Sequence, residues 1–394
     1  MPNQENRNLN PLSPPVVAVI RCDSYQREAV EQSFERAMSL LGGASQFVRE
    51  GEEILLKPNI LFGEKPEKHI SPHPEIFRAT AKIFKQAGAH LSYGDSPGFG
   101  SLRLYVRVMG YAHIAEEMGI DLADFTHAIE MSNEGNHLVK KFAVARAVAH
   151  ADGIINISKL KTHALTRITG AVKNQFGCIP GARKAEFHSV MPRVDLFSQM
   201  LVDLNLLLRS RLYVMDGIVG MEGNGPRNGI PRPVHALLFS TDPIALDATA
   251  CRLMALDPDL VRTNVYGEKH GLGTYHQIRY VGDPVEDFII SDFDVDRQEM
   301  PDAEDKTWLA RSIMRRFTAP RPTIDAEKCT RCGQCTEICP VNPKALDWGR
   351  EGNAQPPQYD YSKCIRCYCC QETCPFEAIS VKMPLAGRII RFWN

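Results

Sequence analysis

The chain carries CTRCGQCTEICP at residues 329–340 and CIRCYCCQETCP at residues 364–375. Both stretches space their cysteines as C-x2-C-x2-C-x3-C-P, the spacing of bacterial cysteine runs that hold 4Fe–4S clusters. Three thiolates in a tight loop reach three irons of one cube, and the fourth cysteine, which leaves on a short helix, reaches the other cube. The two stretches therefore predict two 4Fe–4S clusters and one-electron chemistry.

The fourth cysteine of each stretch assigns the ligands of the two clusters. Because it crosses to the other cube, the first cluster is predicted to bind Cys329, Cys332, Cys335 and Cys374. The second cluster is then predicted to bind Cys364, Cys367, Cys370 and Cys339. Cys369 lies between two predicted ligands, and we expect it to bind no iron.

Zinc is the competing interpretation of these cysteines. Structural zinc sites use close pairs of cysteines separated by a dozen or more residues. Here four cysteines fall within 11 residues, twice, and each run ends in Cys-Pro, which fits zinc poorly. Residues 323–383 instead resemble bacterial-type two-cluster ferredoxins, which implies low reduction potentials. The spacer Val341–Lys363 is longer than in a minimal ferredoxin, and we expect a surface loop that could also cover one cluster or contact the rest of the chain.

The composition of the whole chain is that of a globular protein. It has 394 residues, 44% of them hydrophobic and 24% charged, with a formal net charge of −1. This charge balance gives no indication of nucleic acid as a partner, and no apolar run reaches the roughly 18–20 residues that span a bilayer. Met1–Pro15 is polar, lacks the features of a signal peptide and is predicted to be a disordered tail. We therefore expect a cytoplasmic protein.

Residues 16–290 alternate apolar runs with amphipathic stretches, which predicts an α/β fold with a mostly parallel sheet and flanking helices. The predicted strands are Val16–Ile20, Ile54–Lys57, His90–Tyr93, Gly153–Ile157, Leu212–Met215 and Ala236–Ser240. The predicted helices are Glu28–Leu41, Pro74–Ala87, Leu102–Met118, Val194–Leu208 and Ile244–Leu256. We expect an α/β ligand-binding domain at 16–290, a solvated linker at 291–322 and a small α+β ferredoxin-like domain with a C-terminal tail at 323–394.

Polar residues follow five of the predicted strands. In open parallel sheets, ligands bind outside the carboxyl ends of the strands. The residues found there are Lys57 and Asn59, then Asp95, then Lys159, Lys161 and His163, then Asp216 and Glu222, and finally Asp242. Each group alone could be a turn or a helix cap. Together they predict a binding cleft at one edge of the sheet.

The segment from 159 to 188 is rich in cationic side chains. Lys159, Lys161 and His163 alternate, so an extended backbone places them on one side. Lys173, Asn174, Lys184 and His188 follow. This set predicts an anionic ligand, such as a carboxylate or a phosphate. A solvated basic face is the alternative.

Two further features bear on the ligand. The glycine-rich segment Gly220–Gly229 can approach a ligand closely or move as a lid. Neither a G-x-G-x-x-G fingerprint after the first strand nor a P-loop is present, so nicotinamide and ATP are not predicted. A metal site built from His163, His188, Asp95, Asp216 and Glu222 is conceivable, although these residues lack a diagnostic spacing.

The same motifs resemble one known family. They are LKPN at 56–59, GDSPG at 94–98, KLKTH at 159–163, GAVKN at 170–174, DG at 216–217, EGNGP at 222–226 and TDP at 241–243. This set resembles the domain-of-unknown-function family numbered 362, whose members often carry a C-terminal two-cluster ferredoxin. The resemblance covers roughly residues 50–255 together with the cysteine-rich part. It implies iron–sulfur binding and no particular reaction.

Three functions are compatible with these observations. In the first, an oxidoreductase passes low-potential electrons to an anionic substrate or cofactor in the cleft. Its predicted catalytic residues are Asp95, His163, Asp216 and Glu222, and its predicted binding residues are Lys57, Asn59, Lys159, Lys161, Lys173, Asn174, Lys184 and His188. The second is an electron-transfer adaptor that docks a redox partner, and the third is a metal or cluster assembly factor. The apolar Ile389–Trp393 could pack on a second subunit, so a homo-oligomer is also possible.

Overall fold

The computed structural model describes residues 14–181, 183–299, 319–350 and 352–385. Most of the predicted tail, the basic half of the linker up to residue 318 and Ile389–Trp393 lie outside these ranges. Within them, no helix has the length and apolar character needed to cross a membrane.

The strands in chain order are β1 (Val16–Arg21), β2 (Glu53–Pro58), β3 (His90–Tyr93), β4 (Asp121–Leu122), β5 (Ala128–Ser132), β6 (Lys141–Ala145), β7 (Gly153–His163), β8 (Arg167–Ile168), β9 (Leu212–Glu222), β10 (Ile230–Ser240), β11 (Arg279–Gly282), β12 (Arg321–Ile324), β13 (Leu346–Asp347), β14 (Gln358–Tyr359) and β15 (Ile379–Lys382). The helices are α1 (Arg27–Leu40), α2 (Pro74–Gln86), α3 (Leu102–Val108), α4 (Tyr111–Met118), α5 (Arg146–His150), α6 (Gly170–Asn174), α7 (Arg183–Val190), α8 (Val194–Leu208), α9 (Pro243–Leu253), α10 (Arg262–Lys269), α11 (Gln334–Glu337) and α12 (Cys369–Thr373). Short 3-10 turns lie at Ala44–Gln46, Pro66–Lys68, Gln175–Cys178, Pro258–Leu260 and Val285–Phe288.

The large sheet has the order β11-β1-β10-β9-β7-β2-β3-β4, with β8 paired to β7. Side chains on both faces of this sheet are buried. Ile54 and Leu56 of β2 pack into the layer that holds Phe77 of α2, whereas Leu55 packs on the other face with Phe197 of α8. A parallel strand covered on both faces needs a continuous apolar run, and β2 has one. The predicted α/β class with a mostly parallel sheet is confirmed.

Two strands, β10 and the two-residue β8, run against their neighbours, and the direction of β10 overturns part of the predicted cleft. β10 pairs antiparallel with both β9 and β1, while β9, β7, β2 and β3 are mutually parallel. The carboxyl end of β10 therefore lies at the opposite edge of the sheet. Asp242, which follows β10, caps α9 by accepting hydrogen bonds from the backbone of Ile244 and Ala245. Four strand ends converge at the predicted edge, and the prediction of five was wrong.

Several elements differ from the sequence expectation. β7 and β9 run on to His163 and Glu222, so the polar residues predicted to follow these strands lie within them. The predicted helix Leu102–Met118 is split into α3 and α4, because Gly110 adopts a left-handed conformation at φ 82°. Part of the predicted linker packs on the large sheet, since Phe293 is 1% exposed and Val295 is also buried in its core.

The small C-terminal part consists of two short antiparallel pairs, β12–β15 and β13–β14, with α11 and α12 between them. The spacer Val341–Lys363 contains the β13–β14 hairpin. Leu346 and Tyr359 from this hairpin line one cysteine-rich cavity, and Pro357 lines the other. The hairpin thus lies over both cavities.

Candidate functional site

Two cavities in the small part are each lined by four cysteines. The first is lined by Cys329, Cys332, Cys335 and Cys374, and the second by Cys339, Cys364, Cys367 and Cys370. Each cavity draws one cysteine from the other sequence stretch, as a crossing fourth ligand requires. None of these cysteines forms a disulfide. The ligand assignment itself stays a prediction.

The chemistry of the cavities fits an iron–sulfur cluster. Burial, with the neighbouring thiols Cys374, Cys332 and Cys329, raises the pKa of Cys335 to about 12. Four thiolates crowded together need a compensating cation, which iron provides. Among the described residues, no three His, Cys, Asp or Glu side chains are placed to bind one common ion. The thiols around a four-iron cube bind separate irons, so they need not converge on one point.

Helix α12, which contains the predicted ligand Cys370 and directly precedes the predicted ligand Cys374, docks against the large part. Gln371 is fully buried, and its Nε2 donates to Asn224 Oδ1 at 2.9 Å and to Gly225 O at 3.2 Å. Arg227 Nη1 donates to Thr373 O at 2.8 Å. The glycine-rich segment Gly220–Gly229 therefore contacts the cluster-bearing helix. Its predicted function as a ligand lid stays untested.

A buried ion pair joins Lys57, near the end of β2, to Asp95, which follows β3. Lys57 Nζ lies 2.9 Å from Asp95 Oδ1 and donates to Asn174 Oδ1 at the same distance. Asp95 also accepts hydrogen bonds from the backbone of Ile60 and Ser96. Gly177 lies so close that an added Cβ would fall 1.8 Å from Asp95 Oδ1. This arrangement satisfies both charges, so we assign it a structural role.

A second buried network lies at β7 and β9. Lys159 Nζ donates to Asp216 Oδ2 at 2.7 Å and to Tyr25 Oη at 3.0 Å. Asp216 also accepts from the Tyr25 hydroxyl and from the backbone N–H of His73, whose ring stacks on Tyr25 with centroids 4.1 Å apart. Burial raises the pKa of Tyr25 and lowers the pKa of Lys159. Asp216 is fully buried and paired, which leaves it poorly placed to exchange protons with a ligand.

Lys161, two residues further along β7, has a different environment. It is 1% exposed, and its ammonium donates to Ile70 O at 2.6 Å. Within the described part of the chain it forms no ion pair. Burial, reinforced by the nearby charge of Lys173, lowers the pKa of Lys161 well below its ordinary value. Lys173 is half-buried, and the described residues offer it no ion pair either. These two lysines are therefore available to an anion.

His163 and Glu372 join the large part to the cluster-bearing helix. His163 Nε2 lies 3.0 Å from Glu372 Oε1, but the geometry is not that of a hydrogen bond, and neither atom has a hydrogen-bond partner among the described residues. His163 Nδ1 accepts the backbone N–H of Leu165, so Nε2 carries the proton. Burial and Lys173 lower the pKa of His163 to about 4.

Glu372 stays ionised in this setting. Burial tends to raise its pKa, but the neighbouring charges of His163 and Lys173 hold the pKa of Glu372 at about 2. Because His163 is neutral near pH 7, Lys173 is the cation that stabilises the Glu372 carboxylate at that pH. Lys161, Lys173, His163 and Glu372 thus form one polar cluster at the seam between the two parts, which we call the seam site.

The other predicted site residues lie around this cluster or away from it. Lys184 donates to Ser96 O, and Asn59 Nδ2 donates to Asn174 Oδ1 at 3.2 Å. His188 is buried, and its ring stacks on Phe197 at 4.5 Å. Glu222 accepts the backbone N–H of Asp294, and its described contacts include no other predicted site residue. Its predicted catalytic function stays a prediction that the geometry does not favour.

Sequence reasoning missed Tyr25, His73 and Glu372. Tyr25 follows the carboxyl end of β1, so the rule that selected Lys57 and Asp95 also selects it. His73 lies in the connection before α2, and no motif or strand end in the sequence pointed to it as a site residue. Glu372 stands between two predicted cluster ligands, and only the docking of α12 brings it to His163.

The burial of His188 makes a pH-dependent prediction. Burial lowers its pKa to about 4, so between pH 6.5 and 4 the unfolded chain binds a proton that the folded chain does not. The free energy of unfolding therefore falls as the pH drops through this window. Replacing His188 with Phe, which fits the stack on Phe197, should remove that loss. The free energy of unfolding of the variant minus that of the wild type should therefore be about 2 kcal/mol larger at pH 5 than at pH 7.

The measurement is the urea midpoint of both proteins at pH 5 and pH 7, under anaerobic conditions and at equal iron content. His90, at an exposed position in β3, offers a matched His-to-Phe control. An equal stability difference at both pH values for His188→Phe would show that His188 titrates near its ordinary pKa.

Comparisons with known proteins agree with this organisation. The family model described as "Domain of unknown function (DUF362)" matches residues 54–252, and a "4Fe-4S dicluster domain" matches residues 321–375. The "Thylakoid-associated protein sll1697" of Synechocystis sp. is 36% identical over 260 residues, which cover 65% of this chain and 79% of that protein. Its name records an association and no reaction.

Among solved structures, the lactate racemase apoprotein from Thermoanaerobacterium thermosaccharolyticum is similar at a TM-score of 0.39 and 10% sequence identity. The match covers 61% of this chain and 56% of that one. A likeness this distant carries no functional conclusion. The family model covers half of the chain, and both resemblances expected from the motifs are confirmed. The chain is a member of the DUF362 family that carries an iron–sulfur domain of the 4Fe–4S dicluster type at its C-terminal end.

Proposed function

We propose that this protein is an iron–sulfur oxidoreductase that passes electrons, one at a time, to an anionic ligand at the seam site. The observation that carries the proposal is Lys161, a buried lysine without a carboxylate partner among the described residues. Burying such a group is costly unless a negative charge completes it. A ligand carboxylate or phosphate would supply that charge.

The seam site has a direct physical link to the predicted clusters. Glu372 belongs to the same helix as Cys370 and directly precedes Thr373 and Cys374. When bound, 4Fe–4S clusters supply single electrons, and the resemblance to ferredoxins favours low potentials. The two cavities with four cysteines each support two clusters in this chain.

The residues of the large part would bind the ligand and move protons. Lys161 and Lys173 would hold its negative charge, and the Nε2–H of His163 would donate a hydrogen bond to it. Reduction of most organic groups consumes a proton for each added electron. Lys161 is suited to supply that proton at Nζ, because a lysine with a lowered pKa gives up its proton more readily near neutral pH. Lys57, Asp95, Lys159 and Asp216 would hold the surrounding strands in place.

The proposal also includes an electron donor and a cell compartment. An external one-electron donor would deliver the electrons, because the described chain holds no motif for a two-electron nicotinamide cofactor. The cytoplasm is the compartment that we expect, since reducing conditions keep unpaired thiols available for iron.

The test is metal analysis combined with native mass spectrometry on protein purified without oxygen. We expect about eight irons per chain, four for each cluster, and a small anionic molecule that stays bound. Zinc in place of iron would overturn the cluster assignment. Eight irons with a stoichiometric protein partner and no small molecule would instead identify an electron-transfer adaptor.

A further inference from the structure

The two cysteine-lined cavities differ in their hydrogen bonds to sulfur. Tyr359, from β14 of the spacer hairpin, donates its hydroxyl to Cys370 Sγ at 3.3 Å. Among the described residues, no tyrosine, serine or threonine hydroxyl donates to a cysteine of the first cavity. A hydrogen bond to a ligand sulfur withdraws negative charge from it, which stabilises the reduced state of a cluster and raises its potential.

The two sequence stretches also place equivalent arginines in different environments. Arg331 and Arg366 each precede the second cysteine of their stretch, and both have φ 61°. Arg331 lines the first cavity, but it is exposed, so water screens its charge, and it donates to Ala354 O. Arg366, which does not line the second cavity but directly precedes Cys367, is 9% exposed and lies over the Tyr361 ring at 5.2 Å, and its Nε and Nη1 have no hydrogen-bond partner among the described residues. A buried guanidinium charge is little screened, so it favours an added electron nearby.

Solvent reaches the two cavities unequally. Cys332 of the first cavity is exposed, and the neighbouring Phe376 is 46% exposed. The second cavity is lined by Leu346, which is 1% exposed, and none of its four cysteines is exposed. Burial alone would lower the potential of the second cluster. The Tyr359 hydroxyl and the Arg366 charge oppose this effect, and they act in a low-dielectric environment where they are strongest.

We infer that electrons arrive at the first cluster and move to the second, whose potential Tyr359 raises through its hydrogen bond to Cys370. This inference rests on the proposed pair of clusters. With both clusters bound, one electron would leave the reduced first cluster, which would be oxidised, and enter the oxidised second cluster, which would be reduced. An external one-electron reductant then restores the first cluster. Tyr359 is a positioning residue that donates a hydrogen bond and exchanges no proton.

The test is a redox titration of the intact protein with dithionite, followed by electron paramagnetic resonance. Tyr359→Phe removes the hydroxyl that donates to sulfur. Tyr361→Phe is the matched control, because Tyr361 stacks on Tyr359 at 5.3 Å but donates to Pro322 O rather than to a thiol. Iron is measured in all three proteins, so a failure of the two-cluster proposal appears as a low iron count in the wild type.

We expect two reduction waves in the wild type and a lower potential for the upper wave in Tyr359→Phe. Loss of one hydrogen bond to a charged group should change the equilibrium constant for electron transfer between the clusters about tenfold, which corresponds to about 59 mV for one electron. Tyr361→Phe should leave both waves in place. With eight irons present, a shift of the lower wave would reverse the inferred direction, and unchanged waves in Tyr359→Phe would remove Tyr359 from the inference.

Discussion

Replacing Cys374 with alanine should remove about four of the eight expected irons per chain, and the cluster lost should be the one held by the first cysteine stretch. Cys374 belongs to the second stretch but lines the cavity of Cys329, Cys332 and Cys335. A cube left with three thiolates and partial exposure through Cys332 should be lost during purification. Iron analysis and the intensity of the cluster absorbance measure the result.

Pairs of substitutions decide which cluster is lost. Cys374→Ala combined with Cys332→Ala should retain the same four irons as Cys374→Ala alone, because both residues would serve one cluster. Cys374→Ala combined with Cys367→Ala should retain almost none. The matched control is Cys369→Ala, which removes a neighbouring thiol that does not line either cavity and should keep all eight irons. The opposite pattern in the two double variants would show that each stretch binds its own cluster.

The sequence was most informative where one local rule determines the structure. The cysteine spacing predicted two four-thiol sites, and the structure contains two cavities with the same four-residue groupings. Apolar runs located the strands, and the bounds of the strand His90–Tyr93 and of the helix Val194–Leu208 agree with the prediction to the residue. The strand and the helix depend on residues close together in the chain, so local physical chemistry is sufficient to predict them. The crossing fourth cysteine of each group is distant in the chain, and it was predicted from the known behaviour of this cysteine spacing.

The direction of β10 could not be predicted because its extent was underestimated. A gap of 20 residues between predicted strands ending at Met215 and starting at Ala236 has room for a crossover. The observed strands end at Glu222 and begin at Ile230, which leaves a seven-residue connection that only a hairpin can make. Polar and glycine residues within β9 and β10 hid this continuation, since burial and neighbouring strands override their low strand propensity.

The sequence predicted three of the four residues of the seam site. Lys161 and His163 were predicted from their alternation with Lys159, and Lys173 was predicted from its cationic character alone. Glu372 and the ion pairs that neutralise Lys57 and Lys159 arise from contacts between residues distant in the chain. The prediction therefore treated all the lysines as equivalent. In the described part of the chain, Lys57 and Lys159 have a carboxylate partner, whereas Lys161, Lys173 and Lys184 form no ion pair.

The two buried lysines of β7 should respond in opposite ways to replacement by methionine. Lys159→Met leaves the fully buried Asp216 without its cation, which should lower the free energy of unfolding by about 3–5 kcal/mol. Lys161→Met removes a buried amine that has no carboxylate partner in the described structure and replaces it with an apolar chain of similar length. We expect it to raise the free energy of unfolding by about 1 kcal/mol, while the retained anion is lost.

The comparison separates a structural lysine from a functional one. Both variants are assayed for iron content, urea midpoint and the small molecule retained in native mass spectrometry. Because Lys159→Met disturbs the fold, the double variant Lys159→Met with Asp216→Leu is its control and should recover most of the lost stability. A residue that destabilises the protein yet binds its ligand is kept for function rather than for folding. If Lys161→Met were as destabilising as Lys159→Met and still retained the anion, Lys161 would be a structural residue and the ligand would have to bind elsewhere than at the seam site.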